Sequence, residues 1–588
     1  MVSIKKLTKV LSLLMTAIMI LGTFSSFAYA QEGQINFSKL DFQQEALNKI
    51  MPEVMEDFES KEFAEVLVYM KEQVDTEMVA EATRDAVSSY MTPYSAKLEV
   101  RKGVVEALKD KAESTQANLL SYLEREKEKG NVAEYKPYHI VNMVYVKATR
   151  EVVENISYRL EVAKIYKNKI YKMEFEKAED ADLELQSTEP KWNITRIGAD
   201  QVWNLGINGT GIVVGSLDTG VDWTHPALKN KWRGYNPETE EIDSSKSWFD
   251  PVYGDSLPKD LDGHGTHVMG TAVGSEPDGS NPIGVAPGAR WIAARVFDAY
   301  GYTTDQILLD AAEWMLHPGG DPNAAPDVVN NSWGGLDGID DWYRDAVRAW
   351  RAAGIFPVFS AGNQRPGEPE PWPGSISVPA NYPESFAVAA VDRNDRRASF
   401  SKLGPSPYDE TLVKPEISAP GVNIYSCIPG GYTDRYSGTS MAAPHITGTI
   451  ALMLSANASL TIDEIEQILI ETADPLIDDD YPESPNYGYG YGMVNAYEAV
   501  RRVAPGTGII KGKVLVEGED IEDAEIYHEQ SIFEAYPGSN IDIFAEVSDD
   551  VAVREVELLV KQPGKTYWIL IPMERISGNH KSGTYKGT

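Results

Sequence analysis

At 588 residues, with 42% hydrophobic and 24% charged residues, the chain is too long for one hydrophobic core and is expected to divide into several domains. Its net charge of −35 excludes nucleic acid or an anionic membrane as partners held by a general electrostatic field. With a single cysteine, Cys427, no intramolecular disulfide can form; no Cys-centred motif surrounds it, and it reads as a small buried filler rather than a catalytic thiol.

Residues 1–30 carry the parts of a secretory signal peptide. Lys5, Lys6 and Lys9 are basic, residues 10–24 are largely apolar, and Ala28-Tyr29-Ala30 offers small residues for cleavage after Ala30. The apolar run is shorter than the ~20 residues of a spanning helix, so no transmembrane anchor is expected in this chain. Residues 31–190 have a different texture. Residues 63–70 read as a strand, and Val105, Leu108, Ala112, Leu119, Leu120 and Leu123 recur at helical spacing before a stop at Gly130. Residues 139–146 read as a second strand, 150–156 as a helix and 162–175 as a third strand. That order predicts a small α+β sandwich without a catalytic constellation. Residues 176–190, polar and acidic, read as an exposed linker open to proteolysis.

Beyond the linker, an apolar run from Gly211 ends in Asp218-Thr219-Gly220. Buried parallel strands read this way, and sites in open α/β sheets gather beyond the carboxyl ends of such strands. Strand-like runs at 291–296, 328–330, 356–359 and 386–391 alternate with helical stretches at 305–316, 342–353, 441–454 and 462–472. This predicts a doubly wound parallel α/β domain over residues 191–505. After residue 505, strand-like runs at 541–547 and 556–560, with turn signals at Pro537-Gly538-Ser539-Asn540 and Pro563-Gly564, predict a β-sandwich-like module over 506–588. It is expected to be the start of a longer module.

Ser440 stands between Gly438-Thr439 and Met441-Ala442-Ala443-Pro444. Alone it could be a helix-capping hydroxyl. A serine becomes a nucleophile only when a base takes its proton and another group orients that base. Upstream, His264 in Asp262-Gly263-His264-Gly265-Thr266-His267 and Asp218 in Asp-Thr-Gly are suited to both roles. The three motifs, in the order Asp, His, Ser, resemble the subtilisin family of serine proteases over roughly residues 192–505. Within it, Asn330-Asn331-Ser332-Trp333-Gly334-Gly335 and the segment 350–357 resemble the bacillopeptidase F group.

The resemblance implies a subtilisin-like fold and a catalytic triad of Asp218, His264 and Ser440. It implies that Asn363, in Ser360-Ala361-Gly362-Asn363, donates to the oxyanion beside the Ser440 amide. Ser332, Trp333 and Gly334 match the segment that pairs with extended substrate and lines the primary specificity pocket. Ser377 falls near the pocket floor, and Gly301, between Tyr300 and Tyr302, belongs to the facing strand. His267 is expected to pack within the helix begun by His264 rather than to bind zinc, since no Glu-based metalloprotease motif accompanies the pair.

The resemblance implies no cofactor for the chemistry. At the family's tight calcium site Ala227 stands where a carboxylate is expected, which puts structural calcium in doubt; Glu276, Asp278 and Asn281 remain as ligands for another arrangement. Residues 31–190 match a propeptide that assists folding, inhibits the cleft and is removed by self-cleavage between Phe175 and Trp192. The expected protein is a secreted or cell-wall-associated, monomeric serine endopeptidase acting on proteins or peptides, with its own propeptide as intramolecular inhibitor. Two alternatives stay open: a processing protease with a single partner, and a silent relative that binds the cell surface through its C-terminal module.

Overall fold

The computed structural model describes residues 44–173, 176–177 and 189–504, together with six strands between residues 509 and 587. The expected signal segment, most of the 176–190 linker, and the turns at 537–540 and 563–564 lie outside the described residues.

The N-terminal part is an antiparallel sheet of β1 (Phe63–Met70), β2 (Val132–Tyr138), β3 (Met143–Thr149) and β4 (Val162–Lys167), in the order β2-β3-β1-β4. Three helices join these strands, Thr76–Val87, Pro93–Glu128 and Arg150–Ser157. The strand expected over 139–146 is instead split. Residues 139–142 turn between β2 and β3, which pair from Tyr138↔Met143 outward. Strand β2 escaped the hydrophobic pattern because it is an edge strand with polar residues and Pro137, which an edge tolerates and a central strand does not. The run 162–175 also divides. After β4, the short strands β5 (Ile170–Lys172) and β6 (Glu176–Lys177) leave this sheet and pair elsewhere.

The following α/β part is built on seven parallel strands: β7 (Val213–Asp218), β8 (Trp248–Phe249), β9 (Arg290–Arg295), then, past the short β10 (Tyr302–Thr304), β11 (Val328–Asn331), β12 (Phe356–Ser360), β13 (Phe386–Val391) and β14 (Ile417–Pro420). Their order is β14-β13-β12-β11-β7-β9-β8, so the winding reverses between β7 and β11. Every residue of β11, β12 and β13 is buried, because helices cover both faces. Val214, Val328 and Val358 join Met269, Ala442 and Ile446 on one face, the side of helices His264–Val273 and Thr439–Ala456. Leu217, Val329 and Phe359 join Leu308, Leu309 and Val347 on the other, the side of helices Asp305–Leu316 and Arg344–Ala352.

The N-terminal sheet docks on those last two helices through charge as well as apolar surface. Arg101, 2% exposed, donates to the carbonyls of Ala353, Ala325 and Pro326 at 3.0, 3.2 and 3.3 Å. Lys97 pairs with Asp327 at 3.1 Å, and the N–H groups of His139 and Ile140 donate to Glu313 at 2.7 and 3.1 Å.

After residue 505 the described strands, β17 (Ile509–Val516), β18 (Glu525–Tyr527), β19 (Ile543–Ser548), β20 (Val553–Lys561), β21 (Ile569–Gly578) and β22 (Ser582–Gly587), form one antiparallel sheet in the order β17-β20-β21-β22-β19-β18. Among the described residues no helix is long and apolar enough to cross a membrane.

Arg101 tests the docking. If the chain is cut within residues 178–188, the N-terminal part is expected to remain bound on gel filtration. Arg101→Ala strands three carbonyls and removes a charged donor, a loss of about 3 kcal/mol. Titration calorimetry should then show affinity lower by roughly 10²-fold.

Candidate active site

The winding reversal between β7 and β11 creates a crevice at the carboxyl ends of the strands, where ligands of such sheets bind. Asp218 is the last residue of β7 and is 1% exposed. His264 opens helix His264–Val273 and is fully buried. Its Nδ1–H donates to Asp218 Oδ1 at 2.7 Å, and the same oxygen accepts the Thr219 N–H at 2.7 Å. Burial alone would lower the His264 pKa; the charge and hydrogen bond of Asp218 outweigh it and hold the imidazole above its ordinary value. The approach requires Gly265, where a Cβ would lie 2.1 Å from the Gly220 carbonyl oxygen.

A second carboxylate, missed in the sequence, fixes this helix end. Asp260, 8% exposed, accepts from Thr219 Oγ1, the N–H groups of Asp262 and Gly263, and both N–H and Oγ1 of Thr266, at 2.6–3.0 Å. Burial still holds its carboxyl above the usual range despite these donors. It sits at the positive end of a helix, where an anion is favoured. Thr219 Oγ1 in turn accepts the Gly265 N–H at 2.8 Å, tying the β7 loop to the helix.

Ser440 is the second residue of helix Thr439–Ala456 and is 3% exposed. This helix packs against helix His264–Val273. The Ser440 hydroxyl donates to the Ser332 carbonyl at 3.1 Å, while Ser332 Oγ donates back to the Ser440 carbonyl at 2.8 Å. Asn330 Nδ2 donates to Ser332 Oγ at 2.8 Å and accepts from Thr447 at its own Oδ1 at 3.0 Å. The end of β11 is thus laced to the Ser440 helix. Asn363, just past β12, accepts at Oδ1 from Thr439 N–H and Oγ1 at 3.0 and 2.8 Å, which turns its amide nitrogen toward the Gly438–Ser440 turn. A Cβ on Gly438 would lie 3.2 Å from that nitrogen.

The chain's own N-terminal part pairs with β10. Strand β5 pairs antiparallel with β10, Tyr302↔Lys172 and Thr304↔Ile170, and the Met173 N–H donates to the Gly301 carbonyl at 2.9 Å. Tyr171 stacks on Trp342 at 6.4 Å between centroids and, with Trp333, Gly335, Leu336 and Ile339, lines a pocket. The Trp333 ring meets Tyr343 and Phe359 edge-on behind it. Strand β6 pairs with β16 (Gly431–Ser437), the strand that leads into the Ser440 helix. Beside Ser440, Gly334 and Gly362 back onto Ser377, whose Cβ and Oγ would lie 3.0 and 2.2 Å from a Cβ on each.

His267 lies inside the helix with Nε2 at 2.8 Å from the Ile424 carbonyl, and burial pushes its pKa down to about 3. The Cys427 thiol is buried, and burial pushes it well above its ordinary value. Ala227 is buried and offers no side-chain oxygen. The Glu276 carboxylate accepts from Tyr432 Oη, and Asp278 closes its own turn on the Ser280 N–H at 2.9 Å. Asn281 is buried, and among the described residues its amide has no hydrogen-bond partner. Among the described residues a group with metal-ligand spacing is His139, Glu313 and His317, at the seam with the N-terminal part. Its two imidazole Nε2 atoms sit 2.6 Å apart, a hydrogen-bond separation.

The sequence pattern of the subtilase family matches residues 209–492. Bacillopeptidase F of Bacillus subtilis (strain 168) is 46% identical over 557 residues, 92% of this chain but 38% of that protein. Subtilisin DY of Bacillus licheniformis is 34% identical over 310 residues, 53% of this chain and 98% of that protein. The alkaline protease of Shouchella clausii is 34% identical over 323 residues, 73% of its length. The chain therefore spans little more than a third of bacillopeptidase F and nearly all of subtilisin DY. With the parallel sheet, the crevice and these identities together, the chain belongs to the subtilase family.

Proposed function

We infer that the chain is a serine endopeptidase made as a secreted zymogen. The observation that carries this reading is the buried Asp218–His264 pair on a helix packed against the N-terminal turn that presents Ser440. Ser440 Oγ attacks the scissile carbonyl carbon as His264 Nε2 takes its proton. The oxyanion is met by the Ser440 N–H and Asn363 Nδ2. Collapse breaks the C–N bond, His264 returns the proton to the leaving amine, and water then hydrolyses the acyl-enzyme by the same steps in reverse. Asp218 holds the imidazole in the tautomer with Nδ1 protonated and stabilises the transient imidazolium. The raised imidazole pKa places the acid limb of activity above the ordinary histidine value, since the reaction needs the neutral base.

Substrates bind by strand addition on β10 and on the Ser332–Trp333–Gly334 segment, a mode that reads main chain and suits proteins and peptides broadly. The β5–β10 pairing supports the zymogen reading, because the N-terminal part holds a substrate's edge of the cleft. The basic, apolar and small-residue order of residues 1–30 supports secretion. The chemistry needs no cofactor, and the chain works as a monomer.

Ser440→Ala is expected to abolish fluorophosphonate labelling and to leave the N-terminal part attached when the chain is produced alone; loss of that part from the variant would rule out self-processing. Asn363→Ala is expected to lower kcat by ~10²–10³ with little change in KM, read from steady-state kinetics on a peptide substrate. Chelation with EDTA should leave the melting temperature unchanged, as the Ala227 loop lacks an oxygen cage.

A further inference from the structure

Gly334, Gly362 and Ser377, the walls that the resemblance assigns to a substrate slot beside Ser440, stand next to a buried cation. Lys402 is 1% exposed, and its Nζ has no hydrogen-bond partner among the described residues. Its main-chain N–H donates to the Gly362 carbonyl at 3.0 Å, and its Cδ would lie 3.1 Å from a Cβ on Gly362. The side chain therefore runs beneath the Gly362 wall, next to Ser377. The nearest carboxylate, Glu368, stands 3.6 Å away, beyond hydrogen-bond length, and its Oε2 already accepts the Arg365 N–H at 3.0 Å. Arg365 adds a second positive charge at the other wall, where its guanidinium donates to the carbonyls of Gly334 and Gly335 at 3.3 and 2.7 Å. A buried ammonium short of hydrogen bonds is costly unless an anion completes it.

Resting on the peptidase reading above, we propose that this slot takes an acidic side chain, glutamate above all, on the acyl side of the scissile bond, with Lys402 as its counter-charge. A carboxylate on a four-atom arm carries negative charge to the end of the slot without disturbing the main-chain pairing that holds substrate to the walls. Glutamate outreaches aspartate by one methylene. The neutral isostere glutamine leaves the ammonium short of a charge, and lysine or arginine meets like charge. The chain's own sequence is consistent with this. The residue after Met173 is Glu174, and the linker beyond it is rich in acids, including Glu176, Glu179, Asp180, Asp182 and Glu184. Burial and the neighbouring Arg365 hold the Lys402 ammonium below its ordinary pKa, while Glu368 partly offsets this.

The test is kcat/KM for the processed enzyme on a matched peptide series with Glu, Asp, Gln, Phe or Lys before the scissile bond. Glu is expected to exceed Gln by ~10²-fold, the scale of discrimination by a site with an unmatched buried polar group. Lys402→Met should erase that preference while leaving Gln and Phe peptides within a few-fold. Lys402→Glu should turn the preference toward Lys. Glu368→Gln, which removes the competing carboxylate, should sharpen the preference for Glu. A wild-type enzyme that cleaves Phe peptides as well as Glu peptides overturns the proposal, as does a Lys402→Met variant that slows all peptides equally, the mark of a purely structural lysine. Labelling of Ser440 by a fluorophosphonate separates the two readings. A labelled enzyme indifferent to acid overturns the slot alone, and a chain that neither labels nor cleaves overturns the peptidase reading with it.

Discussion

A charged carboxylate that is 1% exposed must be surrounded by donors, and the 2.7 Å hydrogen bond from His264 to Asp218 is the contact the rest of the site is arranged to protect. Helix His264–Val273 has to enter close to the end of β7, which only a glycine at position 265 permits. Once there, its N-terminal amides need acceptors, and Asp260 meets those of Asp262, Gly263 and Thr266 while Thr219 meets that of Gly265. The entire helix is buried, so its packing against the Ser440 helix leaves little freedom for the imidazole to swing. The geometry around His264 follows from burying one carboxylate among its donors.

The N-terminal part meets the α/β part in two places. Its β5 strand adds to β10 as an extended peptide would, while β1–β4 rest on the two helices behind the sheet. Arg101, Lys97 and the amides of His139 and Ile140 give that second contact its directionality, each meeting a carbonyl or carboxylate of the α/β part. Apolar packing and strand addition thus hold the N-terminal part in two independent ways.

Much of this was legible in the chain. Helices Asp305–Leu316 and Ile462–Thr472 lie where their periodicity and capping residues put them; Thr461 and Glu464 form a reciprocal capping box at the second. Strands β11, β12 and β13 announce themselves as continuous apolar runs because both faces are covered. Strand β2 did not, since an edge strand half in solvent carries no hydrophobic alternation and even tolerates Pro137. Asp260 was overlooked beside the more familiar Asp262-Gly263-His264 pattern, although an acid just before a helix start is a signal of its own. Lys402, between Ser401 and Leu403, has no local signature at all.

The sequence by itself determined the fold class, the order of the parts and the residues available for chemistry, because periodicity, turn chemistry and motif spacing are local properties that each segment carries with it. Only the tertiary structure decided which of those residues meet. Asp218 and His264 are 46 positions apart and Ser332 and Ser440 108 apart, and their hydrogen bonds exist because the folded sheet and helices bring the carboxyl ends of β7 and β11 to the helices begun by His264 and Thr439. It also decided the charge at the end of the slot. A lysine in a sequence is a surface residue by default, and burial under Gly362, with the Glu368 carboxylate 3.6 Å from its Nζ, is a property of packing that no neighbour in the chain encodes.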